Sequence, residues 1–245
     1  MPEARNTTFI TGVSSGIGHA LAATILDADG DVIGVSRREP KDLARRDSFR
    51  FRSLDLSESD RIVPTLIDLL RDTGAIDLAI LNAGILGTFG DLAEADLDEM
   101  RHVMDVNLWA NKLVLDALFA ESRTVRQVVT MSSGAAVNGN RGWRGYSLSK
   151  AALNMLTKLY AAERPGTHFC AIAPGLVDTA MQDQLCGIPP SETYPSLEVL
   201  RSKRETSDMP TSEELAPRLL EVIARVPEHL PSGSFADIRQ LPFEV

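Results

Sequence analysis

The sequence predicts an α/β fold: one doubly wound domain with a parallel sheet covered by helices on both faces. Three observations carry that expectation. Strand-like and helix-like stretches alternate from residue 7 almost to the C-terminus. The strand-like runs are apolar on both faces, as strands held between two helical layers must be. No linker, repeat or low-complexity run breaks the alternation. A chain of 245 residues could hold two domains, but α/β folds of this size are commonly single, so residues 1–245 are read as one unit.

The elements follow in order. "TTFITG" at 7–12 is β-branched and apolar, a first strand; residues 18–30 have helical periodicity and stop at Gly30. "DVIGVS" at 31–36 and "FRFRSLDL" at 49–56 read as the next two strands, with a helix at 60–72. A buried-type strand at 76–84 leads to one long helix at 96–120 and a strand at 126–134. A helix at 146–163, a strand at 167–175, a helix at 211–226 and a short strand at 232–239 complete the series. Residues 178–210 stand apart, rich in Pro, Ser and charge. A long, weakly patterned excursion just past a strand end suggests a lid over a site.

Composition narrows the function classes. Hydrophobic residues make up 44% and charged residues 24%, which allows a sizeable core. A net charge of −9 argues against a nucleic-acid binder, which needs a basic face. Cys170 and Cys186 form no CxxC pair and the four histidines are scattered, so no metal site is expected. No signal peptide opens the chain and no apolar run is long enough for a membrane span, which makes a cytoplasmic protein with no membrane partner the expectation.

The turn after the first strand reads "TGVSSGIG". Gly12, Gly16 and Gly18 allow a sharp turn and close approach to a phosphate, and the helix that follows offers unpaired N–H groups to the anion. With Ser14, Ser15 and Ile17 between them, these residues make a Rossmann-type cofactor turn, though the spacing is G-x-x-x-G-x-G. The second strand ends in Ser36, Arg37 and Arg38 instead of an acidic residue. Two guanidinium groups suit a ribose 2′-phosphate, so NADP(H) is the expected cofactor. Asp55, with Leu56 beside it, is placed to accept the adenine amino group, and Asn82, Ala83 and Gly84 to pass under the adenosine ribose.

"TGVSSGIG", "NAG", Asn107, Ser133, "YSLSK" and "APGLVDT" occur in that order, and together they resemble the short-chain dehydrogenase/reductase family over essentially the whole chain. Tyr146 and Lys150 are neighbours at i and i+4 on a helix. A nearby cation stabilises a phenolate, so Tyr146 is the candidate acid/base, and Lys150 its tuner and a ribose ligand. The family spacing of 13 residues before Tyr146 selects Ser133 over Ser132 to hold the substrate oxygen. The resemblance gives Asn107 the task of bending its helix and holding a water on a proton relay to Lys150. Pro174 and Gly175 end a strand abruptly, after which the Val177 backbone and the Thr179 hydroxyl are placed to bind the nicotinamide carboxamide.

"VDTAMQ" and the segment before it look like the sepiapterin reductase and benzil reductase branch. That resemblance implies an NADPH-dependent carbonyl reductase acting on a vicinal dicarbonyl, either a benzil-like diketone or a sepiapterin-like pterin. Asp237 matches the position that anchors the pterin, and Trp143, Leu86 and Met181 are candidates for an apolar wall. The alternative is a non-catalytic NADP(H)-sensing protein on the same fold, which would not need a proton donor. Residues 146–163 are apolar around more than one stripe, through Ala151, Ala152, Leu153, Met155, Leu156 and Leu159. The family commonly pairs through this helix and the one at 96–120, so a homodimer or homotetramer is expected.

Overall fold

Strands β1 (Thr7–Thr11), β2 (Asp31–Ser36), β3 (Phe49–Ser53), β4 (Ala75–Leu81), β5 (Thr124–Met131), β6 (His168–Ala173) and β7 (Ser234–Asp237) form one sheet. In the computed structural model, which describes residues 5–243, their order is β3-β2-β1-β4-β5-β6-β7, every adjacent pair parallel. Residues 1–4 and 244–245 of the expected domain lie outside the described residues.

Alternation along each strand divides its side chains between two cores. Ile10, Val32, Val129 and Cys170 face helices α1 (Gly16–Asp27) and α8 (Ser212–His229), where Leu21, Leu219 and Val222 meet them. Their neighbours Phe9, Ile33, Val128 and Phe169 face the other way, towards α2 (Ser59–Leu69) and later helices, against Ile62, Leu66, Val114 and Leu118. Strands so covered on both faces are the runs without polar alternation seen in the sequence. At the rear edge of the second core, Arg123 is buried and donates to the carbonyls of Leu70, Thr73, Ala117 and Leu118. These are helix-end and loop carbonyls, so one guanidinium ties several backbone segments together at once.

The expected helix at 96–120 is interrupted. α3 (Leu97–Met104), capped by Asp96, runs into a π-helical turn at Asp105–Trp109 before α4 (Ala110–Leu118). The cause is visible in the hydrogen bonds of Asn107. Its Oδ1 accepts from the Ile85 N–H at 2.8 Å and its Nδ2 donates to the Ile85 carbonyl at 2.8 Å. That inward grip on the loop after β4 favours the wider turn, and such turns are frequent at functional sites. α5 (Arg144–Glu163) then packs beside the turn.

The expected strand ends at 84, 134 and 175 run past the observed ends at Leu81, Met131 and Ala173. There the chain leaves the sheet, and these exits lie along one end of it. The order reverses between β1 and β4, where loops turn to opposite faces and open a crevice at the carboxyl ends of the strands. Residues 178–210 contain two short helices, α6 (Ala180–Cys186) and α7 (Pro195–Lys203). Leu185, Leu197, Leu200 and Met209 of this segment pack with Leu86, Ala135 and Tyr146 as a third cluster.

Candidate active site

The crevice is a cleft of about 880 Å³, bordered at one end by the glycine turn and at the other by Tyr146 and Lys150. Gly12 has φ +80° and Gly16 φ +60°, left-handed values that favour glycine. A side chain at Gly18 would meet Asn82 Nδ2 and the Gly12 carbonyl at 2.4 Å, so that position is closed by sterics. Ser14, Ser15, Gly16 and Ile17 border the cleft where α1 begins, and neither a capping side chain nor an acidic residue occupies that N-terminus. An anion is therefore suited to this end of the cleft.

Asn82 braces the turn from the side. Its Nδ2 donates to the carbonyls of Thr11 and Gly12, while the N–H groups of Asn82 and Ala83 donate to Thr11 Oγ1 at 3.0 Å. Asn82, Ala83 and Gly84 border the cleft. Arg37 and Arg38 are exposed at its rim. Ser53 and Ser36 donate to their respective carbonyls, fixing the backbone at this point. Among the described residues no carboxylate forms an ion pair with either guanidinium. Asp55 and Leu56 border the same end. Hydrogen bonds from the Ser57 N–H, more than desolvation can offset, hold the Asp55 carboxyl below its usual range. The residues present thus fit an adenine dinucleotide with a 2′-phosphate: a turn without side chains, an open helix N-terminus and two uncommitted guanidiniums.

At the other end, Tyr146 and Lys150 are both buried. Burial pushes the Tyr146 phenol up, and a hydrogen bond with Ser133 opposes that shift. Burial lowers Lys150 to about 8. Its Nζ lies 5.6 Å from the centre of the Tyr146 ring and donates to the Met131 carbonyl at 2.7 Å. Ser132 borders the cleft but its Oγ is committed to Asn154, whereas the half-buried Ser133 is the hydroxyl bonded to the phenol. Asn107 is buried against Gly84 and Lys150, since a Cβ on Gly84 would lie 3.1 Å from Asn107 Oδ1 and 3.3 Å from Lys150 Nζ. Asn107 also donates to Ser149 Oγ, and its own carbonyl accepts from Asn111.

The other expected residues are placed as follows. Pro174 and Thr179 border the cleft, Gly175 turns with φ +80°, and Val177 is buried in the first core. Thr179 is the N-cap of α6 but its hydroxyl makes no cap bond. Leu86 and Met181 border the cleft. Trp143 packs on Tyr146 with ring centres 6.0 Å apart and donates from Nε1 to Ser196 Oγ. Phe89 bridges Trp143 to Tyr194 through two edge contacts, an aromatic row absent from the sequence-based expectation. Asp237 lies near Gly134, but three N–H groups of Arg239 occupy its carboxylate and hold it below its usual range. His102 is exposed and borders the cleft together with Val106, one helical turn on. Ser212 and Glu213 of α8 border the cleft as well.

Comparison with known proteins agrees with this fold. A family model described as short chain dehydrogenase matches residues 6–186. The benzil reductase ((S)-benzoin forming) IRC24 of Saccharomyces cerevisiae is 33% identical over 192 residues, 72% of this chain and 73% of that protein. Benzil reductase ((S)-benzoin forming) of Bacillus cereus is 28% identical over 241 residues, covering 91% and 95%. The crystal structure of the YIR035C short chain dehydrogenase/reductase of Saccharomyces cerevisiae superimposes with a TM-score of 0.84 at 27% identity, covering 96% of each chain.

Proposed function

The chain belongs to the short chain dehydrogenase family, and we propose that within it this oxidoreductase is an NADPH-dependent reductase of vicinal dicarbonyls of the benzil type. The observation that carries the reading is the buried pair of Tyr146 and Lys150 at the end of a cleft suited to a dinucleotide, with the half-buried Ser133 hydroxyl bonded to the phenol. When bound, NADPH would supply hydride to the carbonyl carbon. The electrons of the C=O π bond pass to oxygen, and Tyr146 Oη donates its proton there. Burial keeps the phenol protonated at neutral pH, as an acid for this step must be. Lys150, mostly charged below pH 8, stabilises the phenolate left behind, which regains a proton from solvent by way of the Lys150 side. The Ser133 hydroxyl orients the substrate oxygen, and Asn107 holds the β4 exit loop and the start of the relay in place.

Two relatives named benzil reductase support the substrate class. The ion pair of Asp237 with Arg239 favours a diketone over a pterin, because a pterin's donor edge needs an open carboxylate and a diketone offers acceptors. The exposed guanidiniums of Arg37 and Arg38 support NADPH over NADH. Residues 178–210 act as a cover on the substrate side, with Arg204 paired to Asp178 and Asp183 across its base. Trp109, Leu148, Met155 and Leu159 are large and exposed, which supports a homodimer or homotetramer through the π-turn ahead of α4 and through α5. No helix among the described residues is long and apolar enough to cross a membrane, and two free thiols fit a reducing cytoplasm.

The test is NADPH oxidation with benzil, smaller diketones and sepiapterin, using wild type and Tyr146→Phe. Turnover with diketones that Tyr146→Phe abolishes is the expected result. Turnover indifferent to Tyr146→Phe sinks the mechanism, and tight NADPH binding with no turnover on any of these points instead to a sensor.

A further inference from the structure

Helix α8 brings to the cleft a hydroxyl that the fold itself does not use. Ser212 is 3% exposed, and its Oγ is buried without a hydrogen-bond partner. A buried hydroxyl left in that state works against folding, so its persistence at a cleft wall calls for a ligand. The place of Ser212 is fixed by backbone. Asp178 and Thr211 form a short parallel bridge, and the Asp178 N–H donates to the Pro210 carbonyl at 2.9 Å. This pins the start of α8 to the turn that follows β6. A Cβ built on Gly16 would lie 3.6 Å from Thr179 Cγ2 and 4.0 Å from Ser212 Oγ. The hydroxyl therefore looks onto the same point as the N-terminus of α1.

The backbone around Ser212 has the same character. Thr211 and Glu214 close a capping box: Thr211 Oγ1 accepts from the Glu214 N–H and the Glu214 carboxylate from the Thr211 N–H. Of the four N–H groups that begin a helix, the box uses those two, leaving the N–H groups of Ser212 and Glu213 without an intrahelical partner. An 18-residue helix thus ends at the cleft with two free N–H groups and one unpaired hydroxyl.

We propose that Ser212 Oγ, with the N–H groups at the start of α8, binds the diphosphate of the dinucleotide from beside the N-terminus of α1. The cofactor would then be held by two neighbouring helix N-termini, and Ser212 is a positioning residue for it. This rests on the dinucleotide reading of the cleft. The second helix comes from beyond the cover segment 178–210, so cofactor binding and the anchoring of that segment share the Asp178–Thr211 bridge.

Calorimetric titration separates this inference from the reading beneath it, using 2′-phospho-ADP-ribose, which carries the diphosphate, and 2′-AMP, which lacks it. Ser212→Ala is expected to weaken 2′-phospho-ADP-ribose about tenfold, the loss of one hydrogen bond to a charged group. Its affinity for 2′-AMP should not change. The thermal midpoint of the free protein should stay or rise, since an unpaired buried hydroxyl has been removed. Equal affinity of wild type and Ser212→Ala for 2′-phospho-ADP-ribose overturns the inference and leaves the cofactor reading intact. A fall in the free protein's midpoint also overturns it, because the hydroxyl then has a structural partner. Wild type that binds neither nucleotide overturns both.

Discussion

Replacing Lys150 with Met removes a buried cation, and the pH dependence of stability reads what that cation costs the fold. Burial lowers its pKa from 10.5 to about 8. At roughly 1.4 kcal/mol per pKa unit, holding the folded-state ammonium at neutral pH costs on the order of 3 kcal/mol. The sign follows from proton counting. Between pH 8 and 10.5 the unfolded chain holds this proton more firmly than the folded one, so raising the pH through that window adds stability. From pH 7 to 10 the gain is about 2.5 kcal/mol. Other groups oppose it: burial pushes the Cys170 thiol up to about 12 and raises the Tyr146 phenol, and both lose stability as pH rises past their unfolded values. Urea unfolding of the free protein, followed by tryptophan fluorescence for wild type and Lys150→Met from pH 7 to 10, cancels those shared terms. Wild type should gain about 2.5 kcal/mol relative to Lys150→Met over the range. The variant should keep the fold and lose turnover. Parallel stability curves would refute the claim that Lys150 is a charge held in the interior for catalysis.

Three further outcomes follow from the same geometry. Changing Arg37 and Arg38 together to Ala should raise the KM for NADPH by roughly 10- to 100-fold and leave that for NADH within about twofold, as measured by steady-state kinetics with each cofactor. Ser133→Ala should cut kcat about 100-fold while NADPH affinity, read by fluorescence titration, stays unchanged; a matching loss of affinity would assign Ser133 to the cofactor instead. Arg239→Met should free the Asp237 carboxylate, so the ratio of sepiapterin to benzil turnover should rise by about tenfold or more. An unmoved ratio would remove the Asp237–Arg239 pair from substrate choice.

Much of the fold was legible because periodicity changes sharply between elements. Strands such as Val32–Val35 and Phe169–Ala173 are apolar on both faces, which only a sheet covered on both sides explains. The glycine turn, the paired arginines and the Tyr146–Lys150 spacing are local patterns, and local patterns survive in sequence. What was hidden depends on contacts between distant segments. Asn107 has ordinary neighbours in a helical stretch, and the π-turn arises from its bonds to Ile85, 22 positions earlier. The helices within 178–210 are short and separated by Pro and Ser, too brief for periodicity to register. Trp143, Phe89 and Tyr194 lie far apart in sequence and meet only in the fold, through Phe89. Asp237 carried a visible signal, and Arg239 two residues on was the qualification, readable as a close charge pair but not as one closed around the carboxylate. Ser212 looks like an ordinary helix start until the Asp178–Thr211 bridge brings it to Gly16.

Isotope transfer tests the central claim most directly. NADPH carrying deuterium at C4 on the transferred face is incubated with benzil and either wild type or Tyr146→Phe, and the product is weighed by mass spectrometry. Wild type should deliver one deuterium to the carbinol carbon of benzoin, while Tyr146→Phe, still binding NADPH, should form product at least about 1000-fold more slowly. Label transfer at the wild-type rate by Tyr146→Phe, or benzoin formed without the label, would contradict direct hydride transfer with Tyr146 as its acid.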